Sequence, residues 1–229
     1  MLSLEDVRLG IGDFTLTLDA EVPEGQRVAV LGTSGSGKST LLSLLAGFVV
    51  PDRGHVRWQG KDITGLPPAE RPMSILFQDG NLFPHLTVAQ NVGLALRTDL
   101  RLDDKESRRV AATLDRVGLG GMGGRRPADL SGGQQGRAAL ARLLLQDRPV
   151  ALLDEPFAAL DPALRNDMAG LLEALCREHG LTLFLATHDL RDAERLCDRV
   201  WLLQEGCVVL DRPVAGLREA VPEALSDWM

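Results

Sequence analysis

The chain has 229 residues, 45% of them hydrophobic and 25% charged, which is enough for one substantial core. Its 25 Lys and Arg against 32 Asp and Glu leave a net charge of −7, which argues against a dedicated nucleic-acid surface; Arg108-Arg109 and Arg125-Arg126 are too short to form a basic stripe. Cys176, Cys197 and Cys207 fit no zinc or disulfide spacing, and there is neither a basic n-region at the start nor an apolar run of ~20 residues, so a soluble chain in a reducing compartment is expected, reaching any membrane through a partner.

In chain order, residues 14–19 alternate apolar and polar side chains, the pattern of a half-buried antiparallel strand. Val28-Ala29-Val30-Leu31 is instead a continuous apolar run, expected of a strand covered on both faces. It leads into Gly32-Thr33-Ser34-Gly35-Ser36-Gly37-Lys38-Ser39-Thr40, then into a helix carrying Leu41, Leu42, Leu44 and Leu45 that ends near Gly47. Strand, glycine loop and helix form the context a phosphate-binding loop requires. Gly32, Gly35 and Gly37 are read as freeing the backbone to turn successive N–H groups onto phosphate oxygens. The helix start adds its positive end, about half a charge, Lys38 an ammonium, and Ser39 a hydroxyl suited to Mg²⁺.

From residue 88 to 145 helical patterns dominate, interrupted by a glycine cluster at 118–124 that reads as a local loop. Ser131-Gly132-Gly133-Gln134 opens a helix through Ala138, Ala139, Leu140 and Leu143, a second anion-binding helix start. Residues 88–146 are thus expected as a helical subdomain inserted into an α/β core made of 1–87 and 147–229, one domain in all. Residues 150–153 and 181–186 read as buried parallel strands, each followed by a helix, from Pro162 and from Asp189. Asp154 and Glu155 end the first of these strands, where open α/β sheets gather their ligands. Asp154 is suited to hold Mg²⁺ through water and Glu155 to polarise an attacking water. His188 ends the second strand, placed to touch a γ-phosphate. Residues 200–203 and 208–210 suggest a terminal hairpin. The expected fold class is α/β: a P-loop NTPase core with a mainly parallel sheet, an N-terminal antiparallel β part and the helical insertion.

The order Gln78, Ser131, Asp154, Glu155, His188 behind a single glycine loop resembles the ATP-binding subunit of ATP-binding-cassette (ABC) transporters, over essentially the whole chain. Residues 32–39 match the family's Walker A loop and Gln78 its Q-loop. Residues 130–134 match its signature and 150–155 its Walker B strand, while Ala159-Leu160-Asp161 match most of its D-loop and His188 its H-loop. The resemblance implies ATP and Mg²⁺ as cofactors. Ser39, Gln78 and Asp154 would surround the metal, and Lys38, Gln78, Glu155 and His188 would act on the phosphates and water. Thr33, Ser34, Ser36, Thr40, Ser131, Gly132, Gly133 and Gln134 would complete the nucleotide contacts. It also implies a second copy of the chain, the two sandwiching ATP, and an integral membrane permease docking near residues 80–92, where Leu82, Phe83, Pro84 and Leu86 offer an apolar cleft. A periplasmic or extracellular solute-binding protein would act indirectly, no nucleic acid would bind, and the chain would sit peripherally on the cytoplasmic face of a bacterial inner membrane.

Within this family, residues 71–78 and 81–91 resemble the cassette of thiamine (thiamine pyrophosphate) importers, although iron, polyamine and other importers share much of 81–88. Three departures stand out. The family stacks adenine on an aromatic residue, often Tyr, in the first hairpin. This chain has no Tyr, leaving Ile11 or Phe14 and an adenine preference weaker by ~1 kcal/mol. Gly136 falls inside the signature helix and should weaken it by ~1 kcal/mol relative to Ala, and Ala158 stands where the D-loop often has Ser. A P-loop kinase or GTPase would leave the signature helix unexplained, and a soluble cassette of DNA repair or translation usually carries a coiled-coil insertion or a second cassette.

Overall fold

The computed structural model describes residues 1–78, 82–158, 160–215 and 217. Asn81 and Ala159 of the motifs above lie outside the described residues. The strands are β1 (Leu2–Ile11), β2 (Phe14–Val22), β3 (Arg27–Leu31), β4 (Arg53–Trp58), β5 (Lys61–Asp62), β6 (Met73–Leu76), β7 (Val150–Asp154), β8 (Thr182–Ala186), β9 (Arg199–Gln204) and β10 (Cys207–Pro213). The helices are α1 (Lys38–Ala46), α2 (Val88–Gly93), α3 (Asp104–Arg116), α4 (Gly132–Leu145), α5 (Pro162–His179) and α6 (Leu190–Leu196).

The strands join in one sheet, in the order β5-β4-β1-β2-β10-β9-β3-β8-β7-β6. The apolar runs form its parallel centre: β3 pairs with β8 and β9, and β7 pairs with β8. Every residue of β8 is buried, as a strand covered on both faces demands. The N-terminal strands β1, β2, β4 and β5 pair antiparallel. β10 makes the hairpin with β9 and also pairs once with β2, at Cys207–Thr17, so the antiparallel part continues the same sheet. β1 departs from strict alternation because Asp6, at φ 48°, shifts the register against both neighbours. Gly54 of β4 faces that bulge, where a Cβ would lie 2.3 Å from the Asp6 carbonyl oxygen.

Two compact units make up the chain: residues 1–75, 149–155 and 175–229 form one, and residues 76–148 with 156–174 form the other. The sheet unit is built on Leu2, Leu4, Val28, Val30, Leu41, Leu44, Phe184 and Trp201, all buried. The helical unit has its own core of Val88, Val92, Val110, Leu114, Val117, Leu119 and Ala138. Its division starts earlier than residue 88 and takes in most of α5. Within it, the glycine cluster is a local loop after α3, with Gly118 at φ 72° closing that helix. Among the described residues, no helix is long and apolar enough to cross a membrane.

Candidate nucleotide site

Pairing in the sheet unit puts the critical loops on one edge. Val30 of β3, Ala186 of β8 and Asp154 of β7 stand in one register row. The glycine loop, His188 and Glu155 therefore leave the sheet side by side, at the carboxyl ends of parallel strands. Backbone bonds fix the row further: Thr187 N–H donates to the Val30 carbonyl (3.2 Å) and Glu155 N–H to the Ala186 carbonyl (2.9 Å).

In the loop, Gly35 (φ 82°) and Gly37 (φ 107°) occupy left-handed backbone, as expected. Gly32 does not, and here the expectation is corrected. It is needed because a Cβ would lie 2.3 Å from Ser36 Oγ and 2.6 Å from the Leu203 carbonyl oxygen. Gly37 caps α1 without any side-chain hydrogen bond, and no acidic residue lies in the first turn, so the N–H groups of that turn remain directed at the loop. The Lys38 ammonium, largely buried, donates to the carbonyls of Gly32 (2.8 Å) and Thr33 (3.1 Å). The Ser36 hydroxyl is buried and, among the described residues, has no hydrogen-bond partner. Ser34 and Ser39 belong to the same loop and helix start, and Thr40 continues the helix. Phe14 lies against this loop, its Cζ 2.6 Å from where a Cβ on Gly37 would be, whereas Ile11 is exposed.

Glu155 is a left-handed non-glycine residue (φ 48°), a costly conformation that turns its side chain toward His188. His188 Nδ1 and Glu155 Oε2 are 2.6 Å apart; Glu155 is 16% exposed and His188 62%. A shielded carboxylate is thus oriented by an accessible imidazole. Thr187, which belongs to none of the motifs above, has a hydroxyl that donates to the buried Asp192 (3.2 Å) and accepts from Asp189 N–H (3.1 Å), bracing the turn that carries His188. Its place directly before His188 was the available signal. Asp154 makes no side-chain hydrogen bond among the described residues. Burial pushes the Cys176 thiol up to about 11 and raises that of Cys197 well above its ordinary value, so neither of these two is a ready nucleophile.

The helical unit holds the other candidates. Gln78 is exposed in the turn after β6. Ser131 caps α4: its Oγ accepts from Gln134 N–H (3.3 Å), and Gln134 Oε1 accepts from Ser131 N–H (3.0 Å). A Cβ on Gly133 would lie 2.8 Å from Leu164 Cδ2, so this glycine serves packing, whereas Gly132 has nothing within 4 Å. Asn91, fully buried, accepts from Phe83 N–H (2.7 Å) and donates to the carbonyls of Phe83 (3.0 Å), Leu86 (3.3 Å) and Thr87 (3.0 Å). That clamp leaves Phe83 47% exposed, while Leu82 packs on the helical core.

Comparison with known proteins identifies the family. The ABC transporter family model matches residues 16–158. The chain is 58% identical, over all of both chains, to a thiamine import ATP-binding protein, ThiQ, of Jannaschia sp. strain CCS1. It is 49% identical to that of Cereibacter sphaeroides, over 100% of this chain and 99% of the relative. A structure described as the dimeric post-hydrolysis state of the ATP-binding cassette MJ0796 bound to ADP and Pi superposes with a TM-score of 0.81 at 30% identity, covering 94% of this chain and 100% of that one. With more than half its length matched by the family model and its full length shared with close relatives, the chain belongs to the ABC transporter family.

Proposed function

We propose that this chain is the ATP-binding and ATP-hydrolysing subunit of a membrane importer of thiamine or thiamine pyrophosphate. The register row that brings the glycine loop, Glu155 and His188 to one sheet edge carries the ATPase reading. The substrate follows from full-length identity to thiamine import ATP-binding proteins.

ATP is held by the first turn of α1, by the Ser36 hydroxyl and by the Lys38 ammonium, which exchanges loop carbonyls for β- and γ-phosphate oxygens. Ser39 and Asp154, both of the sheet unit, offer hard oxygen donors that fit Mg²⁺, an ion that takes few protein ligands beside phosphate and water, and the family resemblance adds Gln78. When bound, Mg²⁺ supplies Lewis-acid charge to the phosphate oxygens. Glu155 accepts a proton from the attacking water as its oxygen bonds to the γ-phosphorus. The bond to the β–γ bridging oxygen breaks, releasing ADP and phosphate. His188 holds Glu155 in position and meets the γ-phosphate. The Ser131 hydroxyl and α4 N-terminus of a second copy close over the same triphosphate, making ATP part of a homodimer interface. The permease docks on segment 80–92, at the cytoplasmic face of the membrane, and the solute-binding protein acts from the other side.

The test is reconstitution with the permease and binding protein in liposomes. ATP-dependent thiamine uptake, with phosphate release stimulated by loaded binding protein, is the expected result. Stimulation by a different solute overturns the substrate, and stimulation by nucleic acid alone overturns transport.

A further inference from the structure

Arg71 is fully buried, yet nothing in the proposed reaction uses it. Its guanidinium donates four hydrogen bonds, all to main-chain carbonyls: Nη1 to Leu44 (2.7 Å) and Leu45 (2.8 Å), Nε to Leu66 (3.0 Å) and Nη2 to Thr64 (2.6 Å). No carboxylate among the described residues is bonded to it. Burial draws its pKa down, and the Asp62 carboxylate opposes that shift only through space. Gly47 lies against the same group at φ 86°, where a Cβ would stand 2.5 Å from Arg71 Nε and 2.9 Å from the Leu66 carbonyl oxygen. A planar fork with several fixed donor directions meets such a ring of acceptors; an ammonium does not.

Leu44 and Leu45 belong to the last turn of α1, whose carbonyls have no partner among the helix's own residues, though that of Leu44 also accepts from the cap residue Gly47 N–H (3.2 Å). The opposite end of this helix presents Lys38, Ser39 and Thr40 to the phosphates. Nine residues make a rod of about 13 Å, so a small tilt at Arg71 displaces the N–H groups at the other end. A cation at the C-terminus also complements the helix dipole that favours an anion at the start. We infer that Arg71 is a positioning residue of the nucleotide site, holding the phosphate-loop helix by its C-terminal carbonyls and setting how its first turn meets ATP. The inference rests on the ATP-site reading above.

The test compares Arg71→Lys and Arg71→Gln with the unmodified full-length chain. ATP affinity is measured by titration calorimetry, folding by thermal unfolding without nucleotide, and kcat on the reconstituted transporter. Arg71→Lys keeps charge and most of the volume but loses the fork. Its dissociation constant for ATP should rise about five- to tenfold, equivalent to one or two hydrogen bonds, with kcat at saturating ATP changed less than about twofold. Arg71→Gln should exceed this; where it fails to fold, Arg71→Lys decides. A folded Arg71→Lys with unchanged ATP affinity, or with kcat reduced and affinity unchanged, overturns the inference alone. Absence of ATP binding by the unmodified chain overturns the site reading and this inference with it.

Discussion

The helix that begins at Lys38 and the helix that begins at Gly132 both follow glycine-rich loops, yet their first turns are satisfied in opposite ways. The first has a glycine cap, no side-chain acceptor, a buried ammonium bonded to its own loop, and a buried hydroxyl with no partner among the described residues. The second closes on itself through the reciprocal Ser131 and Gln134 bonds, and one of its glycines is occupied by Leu164. A helix start left open makes an anion site within one chain. A capped one is already partly satisfied, and it offers the free proton of the Ser131 hydroxyl and the N–H groups of Gly132 and Gly133. ATP affinity should therefore reside in the first, and the second should matter only when two copies close.

Variants that act on one start and spare the other test this contrast. The largest effect belongs to Glu155→Gln, which keeps the side chain's shape but removes its basicity: phosphate release should fall about 10²- to 10⁴-fold. An ATP-bound dimer should accumulate in light scattering. Unimpaired turnover would remove Glu155 from its role. Lys38→Ala should weaken ATP binding roughly 10- to 100-fold in calorimetry on the single chain, since a charge-assisted contact inside a shielded loop is lost. Ser131→Ala should cost ~1 kcal/mol in thermal unfolding through its lost cap. It should leave single-chain ATP affinity within about twofold, because the Ser131 hydroxyl meets only the triphosphate held by the second copy, and abolish the dimer trapped in a Glu155→Gln background. A large loss of single-chain affinity there would break the comparison.

How far these features were readable from sequence depended on range. The strands β3, β7 and β8 stood out because both faces are buried, and α1 and α4 because loop and helix are contiguous. β1 was not legible, since Asp6 breaks its alternation at the bulge, nor was β4, whose buried residues reduce to Val56 and Trp58. The Glu155–His188 contact spans 33 positions and exists only through the β7–β8 register. Arg71 reads as an ordinary charged residue until the fold wraps four carbonyls around it. Gly32 was readable as essential, but for the wrong reason: the crowding by Leu203 comes from β9, far along the chain.

The smallest effect concerns two glycines in the first turns of α4, and it separates packing from flexibility. At Gly136 the backbone is ordinary helix, and an added Cβ would sit 3.6 Å from Met168 Cε, a normal contact. Gly136→Ala should therefore stabilise the helix by up to ~1 kcal/mol, removing the glycine's backbone entropy without a clash. Gly133→Ala should do the opposite, since its Cβ would press on Leu164 at 2.8 Å and 3.0 Å and force that side chain to move. Thermal unfolding of the two variants reads the pair directly. Opposite signs mean that α4 is held by its cap and by packing on α5, with Gly136 only weakening it. Destabilisation by both would mean that the first turns of α4 need glycine flexibility itself, and the self-completed helix start would have to be given up.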